Sequence, residues 1–337
     1  MPDTPKKLRK PIFQQAKIFS YLLSLHKPML FKGIELSARE GLILQLENVN
    51  GQFHYAEIAP LPGFSKETLI QAFAQIKEVL INYLLNKNAN KNIKDLNLYP
   101  SVHFAVDCIL NNIPISTGLN KPANIPLLQG DNQSVLEQYR QLNNPQRIKV
   151  KVARQKVTDD ILLFNALSAI NKNLLIRCDA NQGWRFSQAS LFFANINNQL
   201  IDFIEEPTAS ATDNIKLAKH YAIHLALDET LQQSHFQYQH ESCFKALILK
   251  PTLIGSFERL DYFIEIAKKQ HLQVSISSSF ESPLGLTQLA FLASQWSKEV
   301  AISYGLDTLK FFKSGTVDMK RPLDQQVNEL ECLWTSN

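Results

Sequence analysis

Charged side chains recur where short apolar runs end in the middle of this chain. Five consecutive runs each carry such a group at or near the last residue, and the groups are Lys149, Lys151, Asp179, Glu205, Asp228 and Lys250. Charged side chains are rarely buried without a partner. Their return at the same point of successive runs indicates one shared polar site rather than scattered surface charge.

The types of these residues suggest a particular chemistry. Asp179, Glu205 and Asp228 come from consecutive runs, and three like charges brought together need a cation to balance them. Carboxylate oxygens without His or Cys favour Mg²⁺, or Mn²⁺, over zinc. Lys151 and Lys250 would face each other across this site, and a lysine beside another cation has a pKa low enough for it to act as a base. The set therefore predicts metal-assisted removal of a proton next to a carboxylate.

Eight apolar runs, separated by longer amphipathic stretches, would position these residues. The runs begin 22 to 28 residues apart and cover residues 125–129, 147–152, 174–181, 201–206, 224–229, 246–250, 273–279 and 301–306. That interval accommodates one strand, one helix and two short loops. Eight such units predict a closed parallel barrel with its site at the carboxyl ends of the strands. An open doubly wound sheet is the competing topology, but it binds its ligand at one switch point.

The first part of the chain has a different pattern. Residues 12–25, 29–36, 42–46 and 53–58 are β-type runs broken by turn-like segments, which predicts an antiparallel meander. Ser65 is expected to cap a helix that follows this meander. A second helix is predicted from residue 101 to residue 110, where the apolar residues share one face.

Composition excludes several other classes of protein. The 11 glycines are never closer together than eight positions, so the Gly-rich nucleotide and kinase loops, the Walker A loop and the G-x-S-x-G elbow are absent. The net charge of +4 over 337 residues is too small for a nucleic-acid reader. No apolar run is long enough to span a membrane. We expect a cytoplasmic protein with no nucleic-acid, membrane or obligatory protein partner.

Three minor features receive structural interpretations. Cys108, Cys178, Cys243 and Cys332 lie far apart in apolar stretches, which predicts buried free thiols in a reducing compartment. The basic run at residues 6–10 is expected to be a solvated tail. The pair His220 and His224 has H-x-x-x-H spacing, but it falls at the amino-terminal rim of the predicted barrel and is not expected to bind metal.

The charged motifs, taken together, resemble those of the enolase superfamily and, within it, the o-succinylbenzoate synthases of menaquinone biosynthesis. The matching motifs are K-V-K at residues 149–151, D-A-N at 179–181, I-E-E-P at 204–207, L-D-E at 227–229 and L-K-P-T at 249–252. Three longer stretches resemble the γ-proteobacterial type of synthase: residues 59–68, 104–108 and 277–286. One departure is Ala153, where many relatives carry glycine, and we do not expect it to abolish activity.

The resemblance implies a fold and a division of the chain. The fold is a (β/α)7β modified TIM barrel, formed by residues 123–306, with an α+β capping domain. That cap would consist of residues 1–122 and be completed by the C-terminal tail at residues 307–337. The loop at residues 60–65 would help to close the site.

The resemblance also implies an activity, the Mg²⁺-dependent syn-dehydration of 2-succinyl-6-hydroxy-2,4-cyclohexadiene-1-carboxylate to 2-succinylbenzoate. Lys151 would remove the proton and Lys250 would stabilise the enediolate, with Lys149 as a further catalytic lysine. Asp179, Glu205 and Asp228 would be the metal ligands. The substrate-binding residues would be Arg177, Asn181, Ser277, Ser278, Ser279 and Gly305.

Other activities remain open at this point. The same lysines would serve an N-succinylamino acid racemase, a dipeptide epimerase or a muconate cycloisomerase. The charged residues could instead form only salt bridges at the rim. A further alternative is a non-catalytic barrel that binds a carboxylate, or a regulator that kept the fold. Retention of both lysines and all three carboxylates argues against that alternative.

Overall fold

The computed structural model describes residues 13–86, 93–115, 125–313 and 323–336, so the basic run at residues 6–10 lies outside it. The strands are β1 Phe13–Phe31, β2 Ile34–Asn48, β3 Phe53–Ile58, β4 Leu127–Leu128, β5 Arg147–Lys151, β6 Leu175–Asp179, β7 Ile201–Glu205, β8 Leu225–Leu227, β9 Phe244–Leu249, β10 Gln273–Ser277, β11 Ile302–Gly305 and β12 Glu331–Thr335. The helices are α1 Leu69–Val79, α2 Pro100–Leu110, α3 Asn132–Gln141, α4 Val157–Ile170, α5 Phe186–Ala194, α6 Ala211–Tyr221, α7 Pro251–Ile254, α8 Phe257–Gln270, α9 Pro283–Trp296 and α10 Leu323–Val327.

The first sheet is antiparallel and has the order β12-β1-β2-β3. The first predicted run lies in strand β1, whereas the second, at residues 29–36, is wrong as a single strand: it spans the end of β1, a two-residue turn at Lys32 and Gly33 and the start of β2, which pairs with β1. Both turn residues have positive φ, 46° and 87°, which is the geometry that matches the twist of a hairpin. The C-terminal strand β12 pairs with β1, so both ends of the described chain meet in this sheet.

Helix α1 starts later than expected. Thr68, not Ser65, is its N-cap, because Thr68 and Gln71 form a capping box. The hydroxyl of Ser65 accepts a hydrogen bond from the backbone N–H of Leu61 at 2.8 Å instead. Helix α2 follows the prediction closely and buries one apolar face.

The second sheet is parallel and confirms the eight predicted strands. Its order runs in sequence from β4 to β11, so the doubly wound alternative is wrong. Among the described strands, no ladder joins β4 to β11, since β4 consists of only Leu127–Leu128. The sheet nevertheless curls, because residues of β4 and β11 border the same cavity. None of the helices in the described ranges is long and apolar enough to cross a membrane.

The cysteines follow the prediction with one exception. Cys108, Cys178 and Cys243 are buried free thiols, as expected. Cys332 is exposed, because it lies on β12 at the edge of the antiparallel sheet.

Candidate active site

Strand register brings the first charged residues side by side. Lys151 on β5 is the register partner of Asp179 on β6, and Asp179 is the partner of Glu205 on β7. All three stand at the carboxyl ends of neighbouring strands, where chemistry collects in barrels of this kind. Asp228 and Lys250 follow β8 and β9 directly. The structure therefore places the six charged residues predicted from sequence at one end of the sheet.

One cavity of about 1,100 Å³ opens at this end. Of the twelve predicted site residues, only Asp228 does not border it; the others are Lys149, Lys151, Arg177, Asp179, Asn181, Glu205, Lys250, Ser277, Ser278, Ser279 and Gly305. Asp228 is fully buried beneath the cavity and accepts a hydrogen bond from Lys250 Nζ at 2.5 Å. The structure thus pairs Asp228 with Lys250, a contact that the sequence did not predict, and Asp228 itself does not line the cavity.

The three lysines differ in their surroundings. Lys149 Nζ lies 2.8 Å from Glu205 Oε2 and 3.1 Å from Asp179 Oδ2. Burial opposes its charge, but these two carboxylates raise the pKa of Lys149 above its usual value. Lys151 Nζ is farther from Asp179, at 3.7 Å. Burial lowers the pKa of Lys151, and the charges of Arg154, Lys149 and Lys250 add to this effect.

The pKa values of the carboxylates are shifted by burial and by the charges packed around them. Burial raises the pKa of Glu205 to about 8; Lys149 opposes this shift, while Asp179 and Asp228 add to it. Burial also acts on Asp179, but the lysine charges, that of Lys149 above all, hold the pKa of its carboxyl below the usual range. Asp179 Oδ1 is buried and accepts no hydrogen bond within the described residues. An unpartnered buried carboxylate oxygen calls for a ligand.

The donor set fits a hard divalent cation, although the site is not ready-made. Within the described ranges, no three His, Cys, Asp or Glu side chains already converge on one point. The ammonium of Lys149 lies between Asp179 and Glu205, and that of Lys250 lies on Asp228. The lysines thus supply the positive charge that the three carboxylates need. Oxygen-only donors and the free Asp179 Oδ1 are what Mg²⁺ prefers.

Two of the predicted substrate contacts are already engaged by the protein. Arg177 donates hydrogen bonds to Asp202, Ser303 and Gln273 at 2.8–3.0 Å, so its guanidinium points toward the amino end of the sheet. Asn181, with a φ of 45°, lies 3.5 Å from Lys151 Nζ and donates to Glu229 at 3.3 Å. Arg177 thus forms the floor of the cavity, and Asn181 orients Lys151.

The loop after β10 contributes the remaining predicted contacts. Ser278 hydrogen-bonds to Thr308 at 2.9 Å, whereas the buried hydroxyl of Ser279 has no partner in the described residues. At Gly305 a Cβ would lie 2.8 Å from the Ser277 hydroxyl. A side chain at Gly305 would therefore displace Ser277, and glycine keeps this wall of the cavity open.

Loop residues of the antiparallel sheet complete the cavity. Leu61 and Phe64 line it, which agrees with the expectation that residues 60–65 help to close the site. The ring of Phe64 lies beneath Lys32 Nζ at 4.6 Å and 5.8 Å from Lys250 Nζ. Sequence reasoning missed Lys32, and the turn-forming pair Lys32-Gly33 was the only signal that could have placed it at a hairpin tip.

A buried arginine, also missed from sequence, joins the two sheets above the site. Arg39 on β2 is 2% exposed and donates to the carbonyls of Ala59 and Pro60 at 2.9 Å. It also donates to the carbonyls of Phe280 and Ser279, at 3.3 and 3.5 Å. Arg39 thereby holds the loop at residues 60–65 against the loop that follows β10. Its only sequence signal is that it is the single positively charged residue of β2.

Glu206 is a further residue whose role the sequence did not indicate. One of its carboxylate oxygens accepts hydrogen bonds from the backbone N–H groups of Asp228 and Thr230, both at 2.9 Å. The other accepts from Gln182 at 2.6 Å. Glu206 therefore fixes the backbone on which Asp228 stands.

Comparisons with known proteins agree with this geometry. Residues 13–113 match a family described as MenC, N-terminal domain, and residues 133–319 match one described as enolase C-terminal domain-like. The o-succinylbenzoate synthase of Yersinia enterocolitica is 33% identical over 95% of this chain and 99% of its own length. That of Pasteurella multocida is 32% identical over 88% of this chain and 90% of its own length.

Solved structures show the same fold. An o-succinylbenzoate synthase from Thermosynechococcus elongatus, complexed with Mg in its active site, has a TM-score of 0.71 at 21% identity, covering 94% of this chain and 99% of its own. The L-Ala-D/L-Glu epimerase from Bacillus subtilis has a TM-score of 0.74 at 17% identity, covering 91% of this chain and 93% of its own. At these identities the likeness concerns the fold alone.

Proposed function

The chain belongs to the o-succinylbenzoate synthase family of the enolase superfamily, and from this membership we propose that it dehydrates 2-succinyl-6-hydroxy-2,4-cyclohexadiene-1-carboxylate to 2-succinylbenzoate. The reaction belongs to menaquinone biosynthesis, and the enzyme is a lyase. The observation that carries the proposal is the register of Lys151, Asp179 and Glu205 across three neighbouring strands, with Lys250 bordering the same cavity.

Asp179, Glu205 and Asp228 would hold the metal ion, Mg²⁺ or alternatively Mn²⁺. When bound, the ion supplies positive charge for the substrate's ring carboxylate and so acidifies the neighbouring C–H bond. Lys149 contacts both Asp179 and Glu205. It would share these two carboxylates with the ion and limit the repulsion between them.

Lys151 would carry the proton. Its amine takes the proton from the carbon next to the ring carboxylate, and the ammonium so formed gives a proton to the hydroxyl group that leaves from the adjacent carbon. One C–H bond and one C–O bond break on the same face, one water leaves, and the ring becomes aromatic. The contact with Asn181 keeps Lys151 aimed into the cavity during both transfers.

Lys250 would act without exchanging a proton. Its ammonium group contacts Asp228 at the base of the cavity. Burial lowers the pKa of Lys250, but the negative charges of Asp228, Glu229 and Asp179 outweigh this effect and raise the pKa above its usual value. A lysine that stays charged suits the stabilisation of negative charge that builds up on the substrate. Lys151, with its lowered pKa, suits the basic role.

The remaining assignments complete the proposal. Ser277, Ser278, Ser279 and Gly305 would contact the substrate, and Arg177 would support the cavity floor. Residues 1–122 and 307–337 would form the capping domain over a barrel of residues 123–306, with the pairing of β12 and β1 in support. We place the enzyme in the cytoplasm on the basis of its three buried free thiols.

The test compares two reactions of the same wild-type protein. Dehydration is followed through the ultraviolet absorbance of 2-succinylbenzoate, and racemisation of an N-succinylamino acid is followed by polarimetry, both in Mg²⁺ buffer. We expect the dehydration to have the higher kcat/KM. Rapid racemisation without dehydration would instead assign the chain the racemase activity that the shared lysines permit.

A further inference from the structure

The charges that border the cavity are unequally paired. They are Lys32, Lys149, Lys151, Arg154, Arg177, Asp179, Glu205, Lys250, Asp307 and Lys310. Most of the cations have a carboxylate within 4 Å. Lys149 contacts Asp179 and Glu205, and Lys151 contacts Asp179. The other pairs are Lys250 with Asp228, Arg177 with Asp202 and Lys310 with Asp307. Across the described part of the chain, Lys32 and Arg154 are the two lining cations without such a partner.

The Lys32 side chain already makes a contact within the protein. It lies at the tip of the β1–β2 hairpin, and its Nζ stands over the face of the Phe64 ring at 4.6 Å. A cation over an aromatic face is stabilised by the ring. Lys32 therefore holds the hairpin tip against the loop at residues 60–65.

Arg154 has a fixed backbone, and its guanidinium has no carboxylate within 4 Å among the described residues, although the charge of Asp179 acts on it from farther away. The N–H of Ala153 donates to the buried Asp160 carboxylate at 3.0 Å. Ala153 itself turns the chain with a φ of 61°. This turn directs Arg154, three residues after Lys151, to the mouth of the cavity. The side chain is exposed there and makes no hydrogen bond within the described residues.

A second negative group on the ligand would match this cation. The substrate under the proposed function carries a ring carboxylate, which belongs near the metal ligands, and a second carboxylate at the end of its succinyl chain. A planar guanidinium can donate two parallel hydrogen bonds to a carboxylate, which the point charge of a lysine cannot do. Arg154 also lies on the Lys151 side of the cavity, where the proton is removed.

We propose that Arg154 is a specificity-determining residue that binds the succinyl carboxylate and so restricts this site to dicarboxylate ligands. The inference rests on the proposed function, because that function defines the second carboxylate. It assigns Arg154 to binding and not to proton transfer. The side chain therefore discriminates between ligands while Lys151, Lys250 and the metal ligands act on all of them alike.

The experiment measures the binding of two ligands to four proteins by calorimetry in Mg²⁺ buffer. The ligands are 2-succinylbenzoate and 2-butyrylbenzoate, which lacks the chain carboxylate. The proteins are the wild type, Arg154→Met, Arg154→Lys and the matched control Lys32→Met. Thermal melts of all four check folding, and Arg154→Met is expected to melt like the wild type because the side chain is exposed.

We expect Arg154→Met to bind 2-succinylbenzoate about tenfold more weakly and 2-butyrylbenzoate as the wild type does, because only the first ligand loses a charge-assisted hydrogen bond. Arg154→Lys should recover part of the loss, and Lys32→Met should change both ligands by the same factor. Equal weakening of both ligands by Arg154→Met, or a selective loss with Lys32→Met, would overturn the inference. If the wild type dehydrates the substrate and Arg154→Met binds 2-succinylbenzoate as tightly as the wild type does, this inference alone is wrong. If the wild type neither binds 2-succinylbenzoate nor dehydrates the substrate, the proposed function is wrong as well.

Discussion

The two ends of the parallel sheet both contain clusters of buried charge, and the clusters are built in opposite ways. At the amino end, the single carboxylate of Asp202 meets Lys245 at 2.8 Å, Arg177 at 3.0 Å and Arg147 at 3.5 Å. At the carboxyl end, three carboxylates, Asp179, Glu205 and Asp228, share the three lysines Lys149, Lys151 and Lys250. The first cluster thus has three positive partners for one carboxylate, whereas the second has only one lysine per carboxylate.

The consequences appear in the proton affinities of the two clusters. Burial would raise the pKa of Asp202, but Lys245 and Arg177 lower it below its usual value. At the other end the pKa of Glu205 is raised to about 8, and Asp179 Oδ1 has no partner among the described residues. A satisfied cluster stabilises the fold, whereas an unsatisfied one marks a site built for a ligand. We therefore expect the amino end of the sheet to contribute mainly to stability and the carboxyl end to hold the proposed functional site.

The largest expected difference between the ends is in turnover. Lys151→Ala removes the proposed base and should lower kcat by roughly 10²–10⁴-fold. Lys245→Ala removes a lysine of the amino-end cluster, which lies outside the cavity, and should leave kcat near the wild-type value. The measurement is the ultraviolet assay on both variants at equal folded concentration. Similar losses of kcat in the two variants would contradict the assignment of function to the carboxyl end of the sheet alone.

Stability should show the reverse order. Asp202→Asn leaves Arg177 and Lys245 without their shared carboxylate and should lower the free energy of unfolding by about 2 kcal/mol, less than for a fully buried pair because Lys245 is partly exposed. Asp179→Asn should cost less, since Lys149 keeps Glu205 as its partner. Urea unfolding of both variants without metal tests this. A larger loss in Asp179→Asn would contradict it.

The contribution of Asp202 to the free energy of unfolding should be lost at acidic pH. Because the folded-state pKa of Asp202 is depressed, its contribution is present above the unfolded value of about 3.9 and is lost as pH falls through the folded value. The difference in stability between the wild type and Asp202→Asn should therefore be constant near neutral pH and shrink below about pH 4. Unfolding curves at a series of pH values measure this difference. A difference that grows on acidification would be inconsistent with the assigned pKa direction.

The smallest effect is expected at Ala153, between the base and the cavity mouth. Ala153→Gly relieves a φ of 61° that glycine adopts freely, but it also increases the entropy of the unfolded chain. These effects oppose each other, so stability should change by less than about 1 kcal/mol. Turnover should stay close to that of the wild type, which a steady-state assay can check. A large loss of kcat would mean that the alanine methyl itself positions Lys151.

The sequence predicted what depends on local pattern. The eight strands were visible because each combines an apolar run with a polar ending at a regular interval, and register then aligned Lys151, Asp179 and Glu205 as expected. Local pattern also identified the metal-ligand candidates, because carboxylates at strand ends are costly without a partner.

Features set by distant contacts were not predictable from sequence. The guanidinium of Arg177 points toward the amino end of the sheet because it binds Asp202, Gln273 and Ser303, which lie 25, 96 and 126 residues away along the chain. Arg39 reaches carbonyls of two separate loops. The N-cap of α1 is a local exception: Thr68 caps the helix because it forms a capping box with Gln71, while the Ser65 hydroxyl binds the nearby Leu61. In each case the partner, not the residue type, decides the outcome.

The most direct test of the functional end is the dehydration rate of the wild-type enzyme at increasing free Mg²⁺ after treatment with a chelator. The three clustered carboxylates Asp179, Glu205 and Asp228, with Asp179 Oδ1 unpartnered among the described residues, predict a rate that is negligible without the ion and rises to saturation as the ion is added. The Lys245→Ala variant, altered only at the other end, should show the same dependence. An unchanged rate in excess chelator would contradict the account.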